Sequence, residues 1–166
     1  MSDLATFAAI RAAKAAVTAG IAAFFLVVAL GNVTDYDSNW QFVRHVLAMD
    51  TTFLSPALMG RAVTDEAAQR LAYHLIIGWE AATGLVLVAA AVLMVVRLGR
   101  PGFERGRAMA VAGLAMGFLL YGVGFLVVAS EWFAMWQSQT WNAQAKAGMF
   151  TTVLVAALAF VAPAER

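Results

Sequence analysis

The chain has 166 residues, 63% of them hydrophobic and 13% charged, with a net charge of +1 and no cysteine. An ordinary soluble domain carries about 25% charged residues, so this much apolar surface exceeds what one core can hide, and the surplus is expected to face lipid. The near-neutral charge argues against nucleic acid or a strongly acidic partner, and the missing cysteines exclude disulfides, thiolate metal sites, iron–sulfur clusters and cysteine nucleophiles.

Four apolar runs follow one another, at 15–33, 71–96, 108–130 and 147–164. Each is near or above the ~18 to 20 residues that a helix needs to cross the hydrocarbon. Backbone amides cannot go unpaired in lipid, and the intervals are too short and polar for a barrel, so helices are expected. Arg11 and Lys14 precede the first run as in a signal peptide, but the run is longer than such segments usually are and lacks a good cleavage site, so a retained span is expected.

The first loop, 34–70, is longer than a connection requires. Within it, Ser38 or Asp37 can cap a helix whose apolar positions are Phe42, Val43, Val46, Leu47 and Met49. Gln41, Arg44 and His45 fall on the other face, a spacing that suits an amphipathic helix lying flat at the membrane surface. Pro56 breaks the chain, and Thr64, followed by Asp65 and Glu66, is the expected cap of the second span.

The second span carries His74 near its start and Glu80 within the hydrocarbon. A carboxylate there is costly, and is by default paired, protonated or lining a polar cavity. It reads as a proton relay, an ion ligand or a quinone hydrogen-bond partner, or as a structural hydrogen bond to another span or to Tyr73, one heptad earlier. His74 and Glu80 lie about 120° apart around the helix and share no face. His45 and His74, with Glu131 and Met135, are the candidate ligands for a haem, copper or zinc. No HxxxH or HxxE spacing supports them, so interface roles are the plainer reading. Asp35, Asp37 and Asp50 do not have the spacing of a calcium loop.

A short link with Gly99, Pro101 and Gly102 makes a tight turn into the third span. That span carries Gly113, Gly117 and Gly124 on one stripe with Tyr121, where small residues let helix backbones approach closely. The second loop, 131–146, opens with Glu131-Trp132-Phe133-Ala134-Met135-Trp136. On a continuing helix Trp132 and Trp136 share one side and Glu131 and Met135 another. The tryptophans suit an aromatic belt, and Glu131 is expected to pair with Arg44 or His45. Trp40 and Trp132 are expected to anchor a cap in which the two loops pack on each other.

Seven basic residues (Arg11, Lys14, Arg97, Arg100, Arg105, Arg107, Arg166) fall on one side of the spans, and four (Arg44, Arg61, Arg70, Lys146) on the other, with six acids. The positive-inside rule makes the first side cytoplasmic. Both termini are then inside, and both loops face the periplasm or the cell exterior. The expectation is an all-α membrane protein: a four-helix transmembrane bundle with an amphipathic helix in the first periplasmic loop, residues 1–166 forming a single domain.

The strings Asn32-Val33-Thr34-Asp35-Tyr36-Asp37-Ser38-Asn39 and Phe42-Val43-Arg44-His45-Val46-Leu47-Ala48-Met49-Asp50-Thr51-Thr52-Phe53, Glu80 after Trp79, and Glu131 through Ser138 resemble the bacterial family of predicted small integral membrane proteins, domain of unknown function 2165. The resemblance covers about residues 15–162. It implies a four-helix protein of the bacterial inner membrane, of Proteobacteria, and carries no activity, substrate or cofactor with it.

No nucleophile elbow, phosphate-cradling loop or dinucleotide fingerprint is present. The leading expectation is a non-catalytic accessory or stabilising subunit of a larger inner-membrane complex, respiratory or photosynthetic, with lipid and other integral membrane subunits or further copies of itself as partners and no nucleic acid. Its structural or interface residues are Trp40, Arg44, Glu80, Gly113, Gly117, Gly124, Glu131, Trp132, Met135 and Trp136. No cofactor is predicted under this reading. The alternative is a quinone-, haem- or metal-binding redox protein with a site near the periplasmic face, built from His45, His74, Glu80 and Glu131. A small transporter ranks third, because one embedded acid and no broken helix pair support it weakly.

Overall fold

The computed structural model describes residues 2–164, with side chains from residue 5 onward; Arg166, counted above among the basic residues, lies outside them. Among the described residues six helices follow in chain order: α1 (Ser2–Thr34), α2 (Tyr36–Ala48), the single turn α3 (Pro56–Met59), α4 (Glu66–Val96), α5 (Phe103–Trp132) and α6 (Gln144–Val161). There is no strand among the described residues. Helices α1, α4, α5 and α6 are long and apolar enough to cross a bilayer. No more than 39% of any span's apolar window is buried in the protein, so most of each helix surface is left for lipid.

The long helices pack in the order α1–α4–α5–α6, and α1 also touches α6. Phe25, Leu87, Met94, Phe103, Leu114, Leu154 and Val161 fill the centre. Glycines set the helix separations. A Cβ on Gly113 would stand 2.6 Å from Leu87, and one on Gly117 would stand 2.7 Å from Phe25 and 3.1 Å from Leu154, so both expected positions sit in seams within this chain. Gly84, against Leu26, and Gly106, against Met94 and Ala90, do the same without having been expected.

Gly124 departs from the expected stripe. Its Cβ position meets only Leu119 and Leu120 of its own helix. From Leu119 to Trp132, α5 winds as a π-helix. Its i→i+5 bonds advance the chain by less than the 100° per residue that the stripe assumes, so residues beyond Tyr121 fall out of phase with Gly113 and Gly117.

The helix starts also differ from expectation. Only Asp35 separates α1 from α2; its amide still donates to the Gly31 carbonyl at 2.8 Å, and its side chain makes no cap. Neither Asp37 nor Ser38 is the cap, because both already lie inside the helix. At α4 the cap is Asp65 rather than Thr64: extended at φ −71°, ψ 118°, its carboxylate accepts from the Ala68 amide at 2.8 Å. The buried side of α2 is Trp40, Val43 and Val46, which packs on α4, while Phe42 and Leu47 are only partly buried. The helix ends at Met49, in the left-handed region at φ 54°.

The two long loops form one cap over the α2 end of the bundle. Val46, Met49, Phe133, Ala134 and Met135 make a small core there. Thr51 and Ser138 share a hydrogen bond of 2.9 Å, the Phe53 amide donates to Gln137 at 3.0 Å, and Arg61 donates to the Trp132 carbonyl at 3.3 Å. Backbone polarity is thereby satisfied across the loops, which keeps them together without disulfides. The aromatic string does not continue as one helix. Ala134, at φ 50°, breaks it between Trp132 and a 3₁₀ turn at Met135–Gln137. Glu131 is exposed while Met135 is 1% exposed, so the two do not share a side.

At the opposite end, basic side chains meet the carbonyls that helices leave unpaired at their C-termini. Lys14 donates to the Pro163 carbonyl at 2.5 Å, Arg11 to Leu98 at 3.3 Å, and Arg107 to Ala162.

Candidate functional site

Glu80 is 2% exposed, midway along α4. A carboxylate so placed must be hydrogen-bonded, and its partner comes from α1: Asn32 Nδ2 donates to Glu80 Oε2 at 2.6 Å. Asn32 is itself 6% exposed. The expected alternative, Tyr73, is not the partner. One heptad on a helix is about 10 Å of rise, beyond direct reach. The Tyr73 hydroxyl donates instead to the carbonyls of Asn32 (3.2 Å) and Tyr36 (3.3 Å). The last turn of α1 is thus tied to α4 twice, once through a side chain and once through its backbone.

Glu80 and Asn32 line a cavity of about 550 Å³ between α1, α2, α4, α5 and α6. Its walls are aromatic: Phe42 from α2, Tyr73 from α4, Tyr121 and Phe125 from α5, Phe150 from α6, and Trp141 from the loop before it. Tyr121 is held among Phe24, Phe25, Phe125 and Phe150, with ring centroids 5.0 to 6.1 Å away. Exposed polar side chains, Ser38, Asn39, Thr140, Asn142 and Lys146, line it as well. The result is a cavity with a buried hydrogen-bonding pair, flat apolar walls and a polar rim. Its volume lies within the ~300 to 1,000 Å³ usual for small-molecule sites.

The four candidate ligands do not converge. His45 pairs with Asp50 (Nδ1 to Oδ2, 2.8 Å) and stacks on Trp141, with centroids 4.9 Å apart. The exposed His74 shares a hydrogen bond of 3.0 Å with the Tyr36 hydroxyl. Glu131 accepts from Gln144 at 3.5 Å rather than pairing with Arg44 or His45, and Arg44 reaches Gln41 at 3.4 Å. Met135 is enclosed in the cap core. Of the redox-site candidates His45, His74, Glu80 and Glu131, only Glu80 lines the cavity. Among the described residues no three His, Cys, Asp or Glu side chains gather as a metal site.

Sequence reasoning missed Asn32, Phe125, Phe150 and the place of Trp141 in this wall. Asn32 was findable: it is a side-chain amide at the end of an otherwise apolar run, and an embedded acid needs a partner from another span. The aromatic walls carried no such signal, since phenylalanines in a span are equally at home facing lipid.

The Glu80–Asn32 bond makes a prediction. Glu80→Gln, which keeps the shape and an acceptor oxygen, is expected to melt close to the parent in mild detergent. Glu80→Leu strands the Asn32 amide and should cost about 0.6 to 2 kcal/mol, the scale of interhelical polar contacts in membranes. Equal melting of parent and Leu variant would remove the structural role.

Among known proteins, the family of predicted small integral membrane proteins (DUF2165) matches this chain over residues 10–163. No curated protein and no solved structure matches it.

Proposed function

The chain belongs to the family of predicted small integral membrane proteins (DUF2165), and on that premise we propose that it is a bilayer-embedded binding protein whose Glu80 cavity takes a small flat ligand with a hydrogen-bonding head, of the quinone class. One observation carries this reading: the buried Glu80–Asn32 pair faces a cavity walled by six aromatic side chains. A planar ring fits between such walls with face or edge contacts, and a carboxyl can meet a carbonyl or hydroxyl on its rim. Haem or metal fits less well, because His45 and His74 are absent from the lining.

Trp141 supplies the readout. A tailless benzoquinone titrated into the purified protein in mild detergent should quench tryptophan fluorescence saturably, and Trp141→Phe should lose most of that signal. Glu80→Gln should weaken binding by about tenfold, the scale of a hydrogen bond to an ionisable group. Quenching that is linear, or unchanged in the Gln variant, defeats the proposal.

A second reading, the accessory subunit of a larger inner-membrane complex, has its own support. The cap exposes Phe53 (68%), Leu54 (54%), Trp132 (54%) and Trp136 (45%), with the Phe53 and Trp136 rings 5.9 Å apart. Such a patch marks a partner or membrane contact. A stable partner purified with the protein from native membranes supports it; recovery of the chain alone counts against it.

In either role the cap is proposed to face the periplasm and the arginine-rich link the cytoplasm, from the basic-residue asymmetry. A reporter active only in the periplasm should work when fused at Gly60 or Gln139 and be silent at Gly102. Activity at Gly102 would reverse the orientation.

A further inference from the structure

The Glu80 cavity has a second side. An apolar groove of about 280 Å³ runs between α2, α4 and the π-wound half of α5, lined in part by Leu47, Leu75, Gly124 and Val128. Leu75 is 64% and Val128 42% exposed, and both stand on membrane-spanning helices, so the groove opens sideways to hydrocarbon. The π winding helps to create it. By turning Gly124 away from the seams it leaves a residue without a side chain on this surface.

Four side chains, Phe42, Val43, Ile76 and Phe125, line both the groove and the Glu80 cavity. The wall between the two is therefore one side chain thick. Phe42 and Phe125 are only partly buried, and their rings lie 17° from parallel with centroids 6.4 Å apart. Both rings stand on side-chain torsions that can change rotamer without moving backbone.

We infer that the groove holds the hydrocarbon tail of the ligand whose head lies at Glu80, and that Phe42 and Phe125 form the lateral gate through which it passes from the bilayer. This rests on the binding reading above and narrows the ligand to a prenyl- or acyl-tailed lipid with a hydrogen-bonding head. The continuity of groove and cavity carries the inference. In lipid the groove gains little from hydrophobicity, since a tail leaves hydrocarbon for hydrocarbon; its contribution is shape.

The test fills the groove. A Cβ on Gly124 meets nothing closer than 3.7 Å, so Gly124→Leu occupies this space without entering the bundle, and Val128→Trp fills it from the rim. The full chain in lipid nanodiscs is titrated with a tailless dimethoxybenzoquinone and with the same ring bearing a decyl tail, and melting checks each variant's fold. Both groove variants should weaken the tailed probe by about tenfold or more while holding the tailless ring within about twofold, because extra atoms in a filled space are costly. Unchanged affinity for the tailed probe in both variants overturns the inference and leaves the cavity reading standing; bulk lipid occupying the groove would give that result. Equal weakening of both probes also overturns it. A parent protein that binds no tailless ring removes the cavity reading, and the tail site with it.

Discussion

Trp40→Ala should lower the stability of the detergent-solubilised protein by about 3 to 5 kcal/mol, the cost of truncating a large buried aromatic. Trp40 is 4% exposed, its ring lies 6.2 Å from that of Tyr73, and the Arg70 guanidinium sits 4.6 Å above it. It is the main anchor of α2 on α4, so its loss frees the helix that brings Phe42 to the cavity. Trp132, expected from the sequence to behave alike, is 54% exposed and contributes mainly a cation–π contact with Arg61 at 4.6 Å. Its truncation should cost about 1 kcal/mol or less. Thermal melting of the two variants side by side decides the matter. Similar shifts for both would mean that α2 is not held by Trp40.

Gly106→Leu is expected to be nearly as damaging. A Cβ at Gly106 would lie 2.9 Å from the Met94 backbone nitrogen and 3.1 Å from the Ala90 carbonyl oxygen. Backbone of a packed helix cannot rotate aside, so α4 and α5 must separate, at about 1 to 3 kcal/mol or more. Gly113 is crowded by the side chains of Leu87 and Val86 instead, which can change rotamer. Gly113→Ala should therefore cost less than Gly106→Ala. Gly148, with nothing within 4 Å of its Cβ position, provides the control. There alanine should stabilise by about 0.5 to 1 kcal/mol through backbone entropy alone. Melting temperatures that do not rank these three alanine variants in that order would refute the packing argument.

The cap shows how far pattern reading reaches. Its existence was legible, because long apolar-rich loops without cysteines must dock on something. Its details were not. The tryptophans of 132–136 read as an i, i+4 pair on an unbroken helix, and nothing in their composition announces the left-handed Ala134 between them. Asp65 displaced Thr64 as cap for a similarly local reason: capping depends on which residue adopts the extended conformation, and both have suitable side chains.

Sequence alone determined the four spans, their order and the tight arginine-rich link. Hydrocarbon imposes a one-dimensional demand, enough consecutive apolar residues to cross it, whatever the neighbouring helices do. It also singled out Glu80, since an acid in such a run is conspicuous by itself. Only the tertiary structure decided that Asn32 meets Glu80, that His45 and His74 go to separate partners, and that Gly124 borders a groove while Gly117 sits in a seam. Those outcomes depend on the axial register between helices and on the local winding of α5. Register and winding arise from packing between segments tens of residues apart, and no periodicity within a single span records them.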